Sequence, residues 1–497
     1  MNFLIATGRL AESTVRKAVG DRADVLVADI DIAAFLTPRK LVEAFESGKF
    51  QKKYDLILVS GLTKGDFSKA SEKIGCKIRL GPKHAYDLGL ILPFAGKMEF
   101  SETIPACELL TDARKELALK LVQETEAAAL PLLTLGKIKL GGQARMKVMG
   151  EIVGATELDF PTLKTRIEAF IARGADIIDL GASLNTEPGQ VKRTVSFAKT
   201  LTKIPLSIDT LDPELIQEGL EAGVELVLSL NGTNLESAGP AIANSIVNSK
   251  ASAVVIPDEG ENLKSLIRNI ETARALGIQR IIADPVLDPI GHGIAEAIGR
   301  YREFHALFPE IPVFFGVGNV TELLDADTIG VNAALCGIGA ELGASILFTP
   351  EFSDKALGSI RELKTASEMM QLSRIRESAP KDLGLDLLCI KEKRRRQNRP
   401  LPENTIKAKP KKNWRVDPAG PVRIWIVPDL IQGAGGLIVA EHEKAAVAGK
   451  SAREVMDTLL ELKLVSRLDH AAYLGRELEK AELALKFSRS YAQDDLF

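Results

Sequence analysis

The feature that most constrains the fold is a regular alternation of apolar and amphipathic segments between residues 147 and 349. Eight short apolar segments recur at intervals of about 20–33 residues: 147–155, 175–183, 204–210, 224–230, 252–258, 280–285, 312–317 and 344–349. Helix-like segments such as 160–174 and 265–277 lie between them and end at or near a glycine. Eight strand–helix units of this length predict a (β/α)8 TIM barrel over 146–380, with a doubly wound open sheet as the alternative.

The first 140 residues repeat this alternation on a smaller scale. Apolar runs at 2–6, 25–30, 54–61 and 76–80 alternate with amphipathic stretches, and 105–128 has the pattern of a long helix. This order predicts an N-terminal doubly wound α/β domain over 1–140, of the Rossmann or flavodoxin type. Its turns contain neither GxGxxG nor GxxxxGK[ST], so the sequence carries no phosphate-binding fingerprint there.

The chain downstream of the barrel begins with a basic stretch. Residues 391–412 contain ten Lys or Arg against two Glu, with three prolines, which is typical of a solvated linker. The alternative is a segment that orders over an anionic ligand. Apolar segments at 423–429 and 437–442, followed by amphipathic stretches at 451–466 and 470–487, predict a small C-terminal α/β cap domain over 414–497.

Composition excludes several functional classes. A net charge of −3 means that the chain has no excess of basic residues for binding a phosphate backbone, so we expect no nucleic-acid partner. The four cysteines lie far apart in the sequence, which argues against a zinc knuckle or a disulfide framework. No apolar run reaches the ~18 residues of a membrane span, and the start lacks a basic signal-peptide region. We therefore expect a cytoplasmic protein with no membrane partner. We also expect a homodimer, which none of these features establishes.

Polar side chains at the carboxyl ends of barrel strands are the candidate site, because active sites of TIM barrels lie at that face. The main candidates are Asp209, Asn231, Asp284 and Asn319. Secondary candidates are Glu151, Asp179, Asn185, Asp258 and His292. The strand ends supply carboxyl and amide groups but no Lys, Arg or His. Such a mouth suits a ligand rich in N–H donors, such as a fused heterocycle with an exocyclic amine.

Structural roles compete with this interpretation at several positions. Asp209 could cap the helix that follows it, although Asp212, directly before Pro213, is better placed. Asn231 and Asp284 could simply form turns. Paired carboxylates could also hold a divalent cation, so magnesium is possible, whereas the missing histidines argue against zinc. We assign no metal site, no catalytic residue and no further cofactor from the sequence.

Several of these stretches resemble the pterin-binding superfamily, which includes dihydropteroate synthase and the methyltetrahydrofolate–corrinoid methyltransferases. They are IPLSIDT at 204–210, the EAG that ends the next helix, and IIADP at 281–285. ELGASILFTPE at 341–351 and HAAYLGRELEKAE at 470–482 are similar to the dihydropteroate synthase-related proteins of tetrahydromethanopterin metabolism. The resemblance implies that Asp209 and Asp284 hold a pterin. It also implies that Asn231 matches the asparagine after the fourth strand of the synthase, although Asn231 lies about three residues later. Asn319 matches an asparagine of the methyltransferases.

The chain departs from dihydropteroate synthase at every position where that enzyme places a cation. The loop after the second strand reads Asn185-Thr186-Glu187-Pro188-Gly189 and lacks the arginine of the synthase. The seventh strand continues Gly318-Asn319-Val320 instead of Ser-Arg-Lys, and the eighth has Phe348-Thr349-Pro350 in place of Arg-x-His. The first strand reads GEIVGATE where the synthase has an asparagine. The pterin half of the site is present, and the diphosphate half is not.

The resemblance implies three possible activities. The leading one is a synthase-like transferase reaction, the C–N condensation of a dihydropterin methyl diphosphate with an arylamine in tetrahydromethanopterin or related pterin biosynthesis. The second is methyl transfer from a methylated pterin to a corrinoid protein partner, with Asn319 near N5. The third is a pterin carrier that catalyses nothing.

Overall fold

The structure, a computed structural model, describes residues 2–48, 53–391, 401–402, 405–409, 415–433 and 435–495. The chain forms two compact units, which are described separately. One comprises Met1–Ala128 with Glu368–Asp386, and the other comprises Ala129–Ser367 with Leu387–Phe497. Residues 129–140 thus belong to the unit that contains the barrel, whereas the sequence places them in the N-terminal domain. Residues 368–386 belong to the N-terminal unit, whereas the sequence places 368–380 in the barrel.

The N-terminal unit is built on a parallel four-stranded sheet, β1 Phe3–Thr7, β2 Asp24–Val27, β3 Leu56–Val59 and β4 Lys77–Leu80, in the order β2-β1-β3-β4. Its helices are α1 Glu12–Val19, α2 Pro38–Ser47, α3 Ser68–Ile74, α4 Leu88–Ile91, α5 Ala106–Leu109 and α6 Thr111–Ala128. The predicted helix over 105–128 is therefore two helices. Two apolar clusters form the core, one around Leu4 and Ile57 and the other around Ile5 and Leu58. Alternate residues of one strand thus face opposite sides of the sheet.

The second unit begins with a hairpin of β5 Leu133–Leu135 and β6 Ile138–Leu140, and continues into a closed eight-stranded parallel barrel. The barrel strands are β7 Lys147–Ile152, β8 Ile177–Gly181, β9 Leu206–Asp209, β10 Leu226–Leu230, β11 Ser252–Val255, β12 Ile281–Ala283, β13 Val313–Phe315 and β14 Ala344–Thr349. Each lies within a segment predicted from the sequence. The predicted TIM barrel with flanking α/β regions is confirmed.

The barrel helices are α7 Phe160–Arg173, α8 Pro188–Leu201, α9 Pro213–Ala222, α10 Gly232–Ser249, α11 Leu263–Ala275, α12 Ile294–Leu307, α13 Gly318–Thr321, α14 Thr328–Glu341 and α15 Ser359–Arg376. Local capping explains several of their boundaries. The Asp212 side chain accepts hydrogen bonds from the amides of Glu214 and Leu215, and Pro213 follows it, so α9 begins there as predicted. Gly223 ends the same helix at φ +96°, a left-handed conformation that suits glycine.

The hairpin of β5 and β6 closes the amino-terminal end of the barrel. Leu135 and Leu140 are buried together with inward-facing side chains of the strands, such as Met149, Ile177 and Phe314. Because side chains alternate along a strand, the next inward positions after Met149 and Ile177 are Glu151 and Asp179. The lower layer of the barrel is therefore apolar, and the layer above it, toward the carboxyl ends, is acidic.

The C-terminal region packs two helices on an antiparallel sheet of β15 Arg423–Pro428, β16 Gly436–His442 and β17 Ala445–Gly449. The helices are α16 Ala452–Glu461 and α17 Leu468–Lys486. A capping box starts α16, because the Ser451 hydroxyl accepts from the Glu454 amide and the Glu454 carboxylate accepts from the Ser451 amide. The centre of this core contains Ile438, Val455 and Leu474.

Most of the basic stretch 391–412 lies outside the described residues, so its predicted linker role stays a prediction. Within the described residues, none of the helices combines the length and apolar character that a bilayer span requires.

Candidate functional site

The strand register brings three carboxyl groups together at one side of the barrel mouth. Glu151 on β7 is the direct partner of Asp179 on β8, and Asp179 is the partner of Ser207 on β9. Asp209 lies two residues beyond Ser207, so its side chain points to the same interior. Carboxyl oxygens of Glu151, Asp179 and Asp209 all lie within 4.8 Å of one another. We call these three residues the acidic triad.

The backbone around the triad leaves space for it. A Cβ atom at Gly181 would lie 2.9 Å from Glu151 Oε1, so a larger residue there would displace the Glu151 carboxyl group. Asp179 is fully buried, and the Ser207 hydroxyl donates a hydrogen bond to its Oδ1. Its Oδ2 is buried without a hydrogen-bond partner. Among the described residues, no Lys or Arg forms an ion pair with any member of the triad.

Burial and mutual repulsion raise the pKa values of the whole triad. Burial, together with the charges of Asp209 and Glu322, raises the pKa of Glu151 to about 7. Burial raises the pKa of Asp209 to about 6. The pKa of Asp179 is raised well above its usual value by burial and by the charges of Asp209 and Glu151. At neutral pH the triad therefore retains protons unless a ligand with positive charge or N–H donors replaces them.

Asp284 follows β12, is buried, and is the fourth carboxyl group of the mouth with a raised pKa. Its Oδ1 accepts hydrogen bonds from the Tyr301 hydroxyl at 2.7 Å and from the Val286 amide at 2.8 Å. Burial raises the pKa of Asp284 to about 6, although these two hydrogen bonds act to lower it. Within the described residues its Oδ2 makes no hydrogen bond to the protein, so it is available to a ligand.

The loop after Asp284 is held in an unusual conformation. Val286 has φ +65°, which is strained for a β-branched residue. The Arg300 guanidinium on α12 donates to the carbonyl oxygens of Pro285 and Val286 and to Asp288. A cation thus approaches the mouth from a helix, although the strand ends themselves carry none. The Arg300 guanidinium thus fixes the backbone of the loop that directly follows Asp284.

Asn231 and Asp258 are occupied by contacts within the protein. The side-chain oxygen of Asn231 accepts from the backbone amide of Asn234, and the side-chain oxygen of Asn234 accepts from the backbone amide of Asn231. This reciprocal capping box starts α10. Asp258 accepts from the Gly232 amide at 2.7 Å. It also accepts from three side chains, those of Ser265, Arg268 and Asn269. Burial acts to raise the pKa of Asp258, but these hydrogen bonds outweigh it and lower the pKa. Both residues shape the loop after β10, and ligand contact by either stays a prediction.

The remaining candidates are exposed. Asn319 follows β13, and its amide donates to the Leu287 carbonyl oxygen at 3.0 Å, so it connects two loops of the mouth. Asn185 and His292 are exposed and, within the described residues, make no side-chain hydrogen bond. The structure thus gathers Glu151, Asp179 and Asp209, and it does not draw Asn185 or His292 into that cluster.

The acidic triad has the chemistry of a site for a hard divalent cation. Magnesium and calcium prefer carboxylate oxygens at about 2.0–2.6 Å, so two ligands of one ion lie up to roughly 5 Å apart. The separations within the triad fit this limit, and the unpartnered Oδ2 of Asp179 fits a role as a ligand. No histidine belongs to this group, which keeps zinc unfavourable.

Sequence reasoning missed three residues that support these carboxyl groups. Ser207 contacts Asp179 one strand away, Tyr301 reaches Asp284 from α12, and Glu322 adds negative charge near Glu151. Ser207 could have been found from the alternation of β9, because it lies two residues before Asp209. Nothing in the local sequence marks Tyr301 or Glu322, since both act on residues of another element.

The chain is similar to several known proteins. A family model described as "Pterin binding enzyme" matches residues 154–346, and a second, PterinBD-DUF4346, matches 416–494. "Uncharacterized protein MJ0107" of Methanocaldococcus jannaschii is 38% identical over 532 aligned positions, which cover 100% of this chain and 99% of that protein. The chain belongs to the family of that protein, and its barrel matches the model of pterin-binding enzymes.

More distant matches are shorter. Dihydropteroate synthase of Synechocystis is 29% identical over 126 positions, which cover 21% of this chain and 43% of that enzyme. The solved structure of the Yersinia pestis synthase with a pterine-sulfa conjugate is 20% identical and covers 49% of this chain and 99% of that chain, with a TM-score of 0.39. The matched family model supports a pterin-binding function.

Proposed function

We propose that the barrel mouth binds a pterin through Asp209 and Asp284. The observation that carries this proposal is that no Lys or Arg of the described residues forms an ion pair with the carboxyl group of Asp209 or Asp284. A pterin presents adjacent ring N–H and amino groups, which can donate paired hydrogen bonds to one carboxylate. Asp284 offers its free Oδ2, and the Asp209 side chain has no hydrogen-bond partner among the described residues.

The reaction we propose is a synthase-like transfer in tetrahydromethanopterin or related pterin biosynthesis. In it an arylamine nitrogen forms a bond to the pterin methyl carbon and releases a proton, while the bond from that carbon to a diphosphate oxygen breaks and the diphosphate leaves. The departing diphosphate needs positive charge nearby. The strand ends provide none, so Glu151 and Asp179 are the carboxyl groups of the triad that could hold a balancing cation while Asp209 binds the pterin. A magnesium ion bound there would supply that charge.

Methyl transfer from a methylated pterin to a corrinoid protein is the second candidate. It is favoured by Asn319, whose side chain is exposed directly after β13. Its amide already donates to the Leu287 carbonyl oxygen, so it has one further N–H to offer a ligand. A carrier that binds pterin without turnover is the third possibility.

Calorimetry with a dihydropterin tests the binding proposal. A hydrogen bond to a charged group contributes about 1.5–3 kcal/mol, so Asp284→Asn should weaken binding by about ten- to a hundredfold, and Asp209→Asn should do the same. Asp212→Asn is the matched control, because Asp212 caps α9 at the same end of the barrel and asparagine also caps. Wild-type affinity in both test variants would contradict the assignment.

Turnover assays separate the reactions. With p-aminobenzoate and dihydropterin methyl diphosphate we expect little product, because the Arg, Lys and His that serve those ligands in the ordinary synthase are absent. Rescue of a synthase-deficient strain by this chain would overturn that expectation. Pterin binding without turnover of any arylamine or methyl acceptor would favour the carrier.

A further inference from the structure

The N-terminal unit contains a cavity at the point where its strand order reverses. From β1 the chain goes to β2 on one side, then crosses to β3 on the other side, so the carboxyl ends of β1 and β3 flank the reversal. Open α/β sheets bind ligands at this position. A cavity of about 80 Å³ lies there, lined by residues of both strand ends and of the loop after β4.

The walls of this cavity combine apolar side chains with hydrogen-bond donors. Its apolar surface includes Ile5, Val15 and Leu88, and its polar groups come from Thr7, Ser60 and Lys83. Thr7 is 2% exposed, and its hydroxyl makes no hydrogen bond within the described residues. A hydroxyl in the wall of a cavity that has no protein partner keeps its proton available, so Thr7 can donate a hydrogen bond to a ligand.

The other two polar groups also have donors to spare. Ser60 Oγ accepts from the Leu62 amide at 3.3 Å, which leaves its own proton for an acceptor. Lys83 lies 2.8 Å from Glu108, and its side chain is 17% exposed. An ammonium group has three donors, so this ion pair leaves capacity for a ligand. The cavity thus presents donors to whatever occupies it.

We propose that this cavity binds a short aliphatic carboxylate. Its carboxylate would accept hydrogen bonds from Thr7, Ser60 and Lys83, and its alkyl group would pack on the apolar wall. A phosphate dianion is disfavoured, because its two charges would be balanced by Lys83 alone, and Glu108 already neutralises that lysine in part. The turns of this unit also lack a glycine-rich phosphate loop. The volume is about half that of an apolar cavity known to admit benzene, so the ligand is small.

Propionate is the probe, and the full chain with labelled Ile, Leu and Val methyl groups is the sample. We expect saturable shifts of the methyl resonances of Ile5, Val15 and Leu88, with an affinity of about millimolar for so few atoms. Propionamide has the same shape without the charge and should bind about tenfold more weakly. Equal affinity for the two molecules would overturn the carboxylate assignment, and the absence of saturable shifts would overturn the site.

Variants locate the binding groups. Thr7→Val keeps the shape of the side chain and removes the hydroxyl, so propionate affinity should fall about tenfold or more. Lys83→Met should remove the preference for propionate over propionamide. Lys77→Met is the matched control, because Lys77 pairs with Glu99 at 3.3 Å on the same unit and does not line the cavity. Unchanged affinity in both Thr7→Val and Lys83→Met would overturn the proposal.

Discussion

Asp176 and Asp179 lie three residues apart at β8, and both are largely withdrawn from water, yet their environments are opposite. Asp176 accepts two hydrogen bonds from Arg145, at 2.7 and 2.8 Å, and one from the Val148 amide at 2.9 Å. Burial acts to raise its pKa, but Arg145 and Lys364 outweigh this effect and lower the pKa to about 2. Asp179 has no cation partner, and its pKa is raised. Burial alone therefore does not distinguish the two; the presence of a cation does.

The same distinction holds elsewhere in the described residues. Asp87 of the N-terminal unit is fully buried and pairs with Arg114 at 2.8 Å and Arg376 at 3.0 Å. Glu351 after β14 is buried and pairs with Arg173. At both places an arginine accompanies a buried acid of the fold. The acidic triad lacks such a partner among the described residues, which is why we assign it to a ligand.

Removing the cation of Asp176 should give the largest effect. Arg145→Met leaves the Asp176 carboxylate with only the more distant Lys364, at 3.4 Å, and the loss of one partner from a buried ion pair destabilises by about 3–5 kcal/mol. Urea denaturation at pH 7 measures this loss. The wild-type contribution of Asp176 should also disappear as the pH falls from about 4 toward 2, because its pKa is lowered in the folded protein.

Arg268→Met is the matched control for that variant. Arg268 pairs with Asp258 at 2.6 Å, but its side chain is 58% exposed, so its removal should cost less than about 1 kcal/mol. Equal losses in the two variants would break the distinction between a structural and a surface ion pair.

Asp179→Asn should produce a smaller effect of the opposite sign. Asparagine resembles the protonated carboxyl group, still accepts from Ser207, and can donate to the neighbouring carboxylates. We expect the free energy of unfolding to rise by about 1–3 kcal/mol at pH 8 and to change little near pH 4. The reason is that the raised pKa values of the triad stabilise the wild type at low pH, and this advantage disappears as the pH rises through about 6 and 7.

Asp258→Asn provides the comparison for pH. The pKa of Asp258 is lowered by its hydrogen bonds, so this variant should lose stability at pH 8 relative to the wild type. A gain of stability at pH 8 in both variants, or in neither, would refute the contrast between the triad and Asp258. Chemical denaturation at the two pH values decides between these outcomes.

Tyr301→Phe should give the smallest change. The variant removes the hydroxyl that donates to Asp284 Oδ1 and should cost about 1 kcal/mol at pH 8. The loss should shrink near pH 4, because this hydrogen bond favours the ionised carboxyl group. Denaturation of the variant at both pH values tests this. A loss that is independent of pH would mean that Tyr301 supports the packing of α12 and not the charge of Asp284.

Much of the fold could be predicted from the sequence, because barrel strands are buried on both faces and form continuous apolar runs. The hairpin of β5 and β6 was missed, since Leu133–Leu135 and Ile138–Leu140 are only three residues each and resemble a junction. β17 was missed because AAVAG at Ala445–Gly449 carries no strong strand signal. The placement of 368–386 depends on long-range packing, which no local pattern reveals.

The residue types at the barrel mouth could be predicted from the sequence, but the arrangement of their side chains could not. Strand ends identified Glu151, Asp179 and Asp209 as candidates, but only the register places Glu151 opposite Asp179. The sequence ranked Asn231 above Asp179, because asparagine after a strand suits a ligand. It could not show that Asn231 caps α10 while an oxygen of Asp179 stays without a partner.

The hairpin beneath the barrel has a practical consequence for dividing this chain. A fragment that starts at residue 146, where the sequence pattern places the barrel, would lack Leu135 and Leu140 and would leave their apolar neighbours Met149, Ile177 and Phe314 open to water. Such a fragment should aggregate, whereas a fragment that starts near residue 129 includes the hairpin that covers this end of the barrel. During synthesis, the segment that seals the barrel leaves the ribosome before any of the strands it will cover.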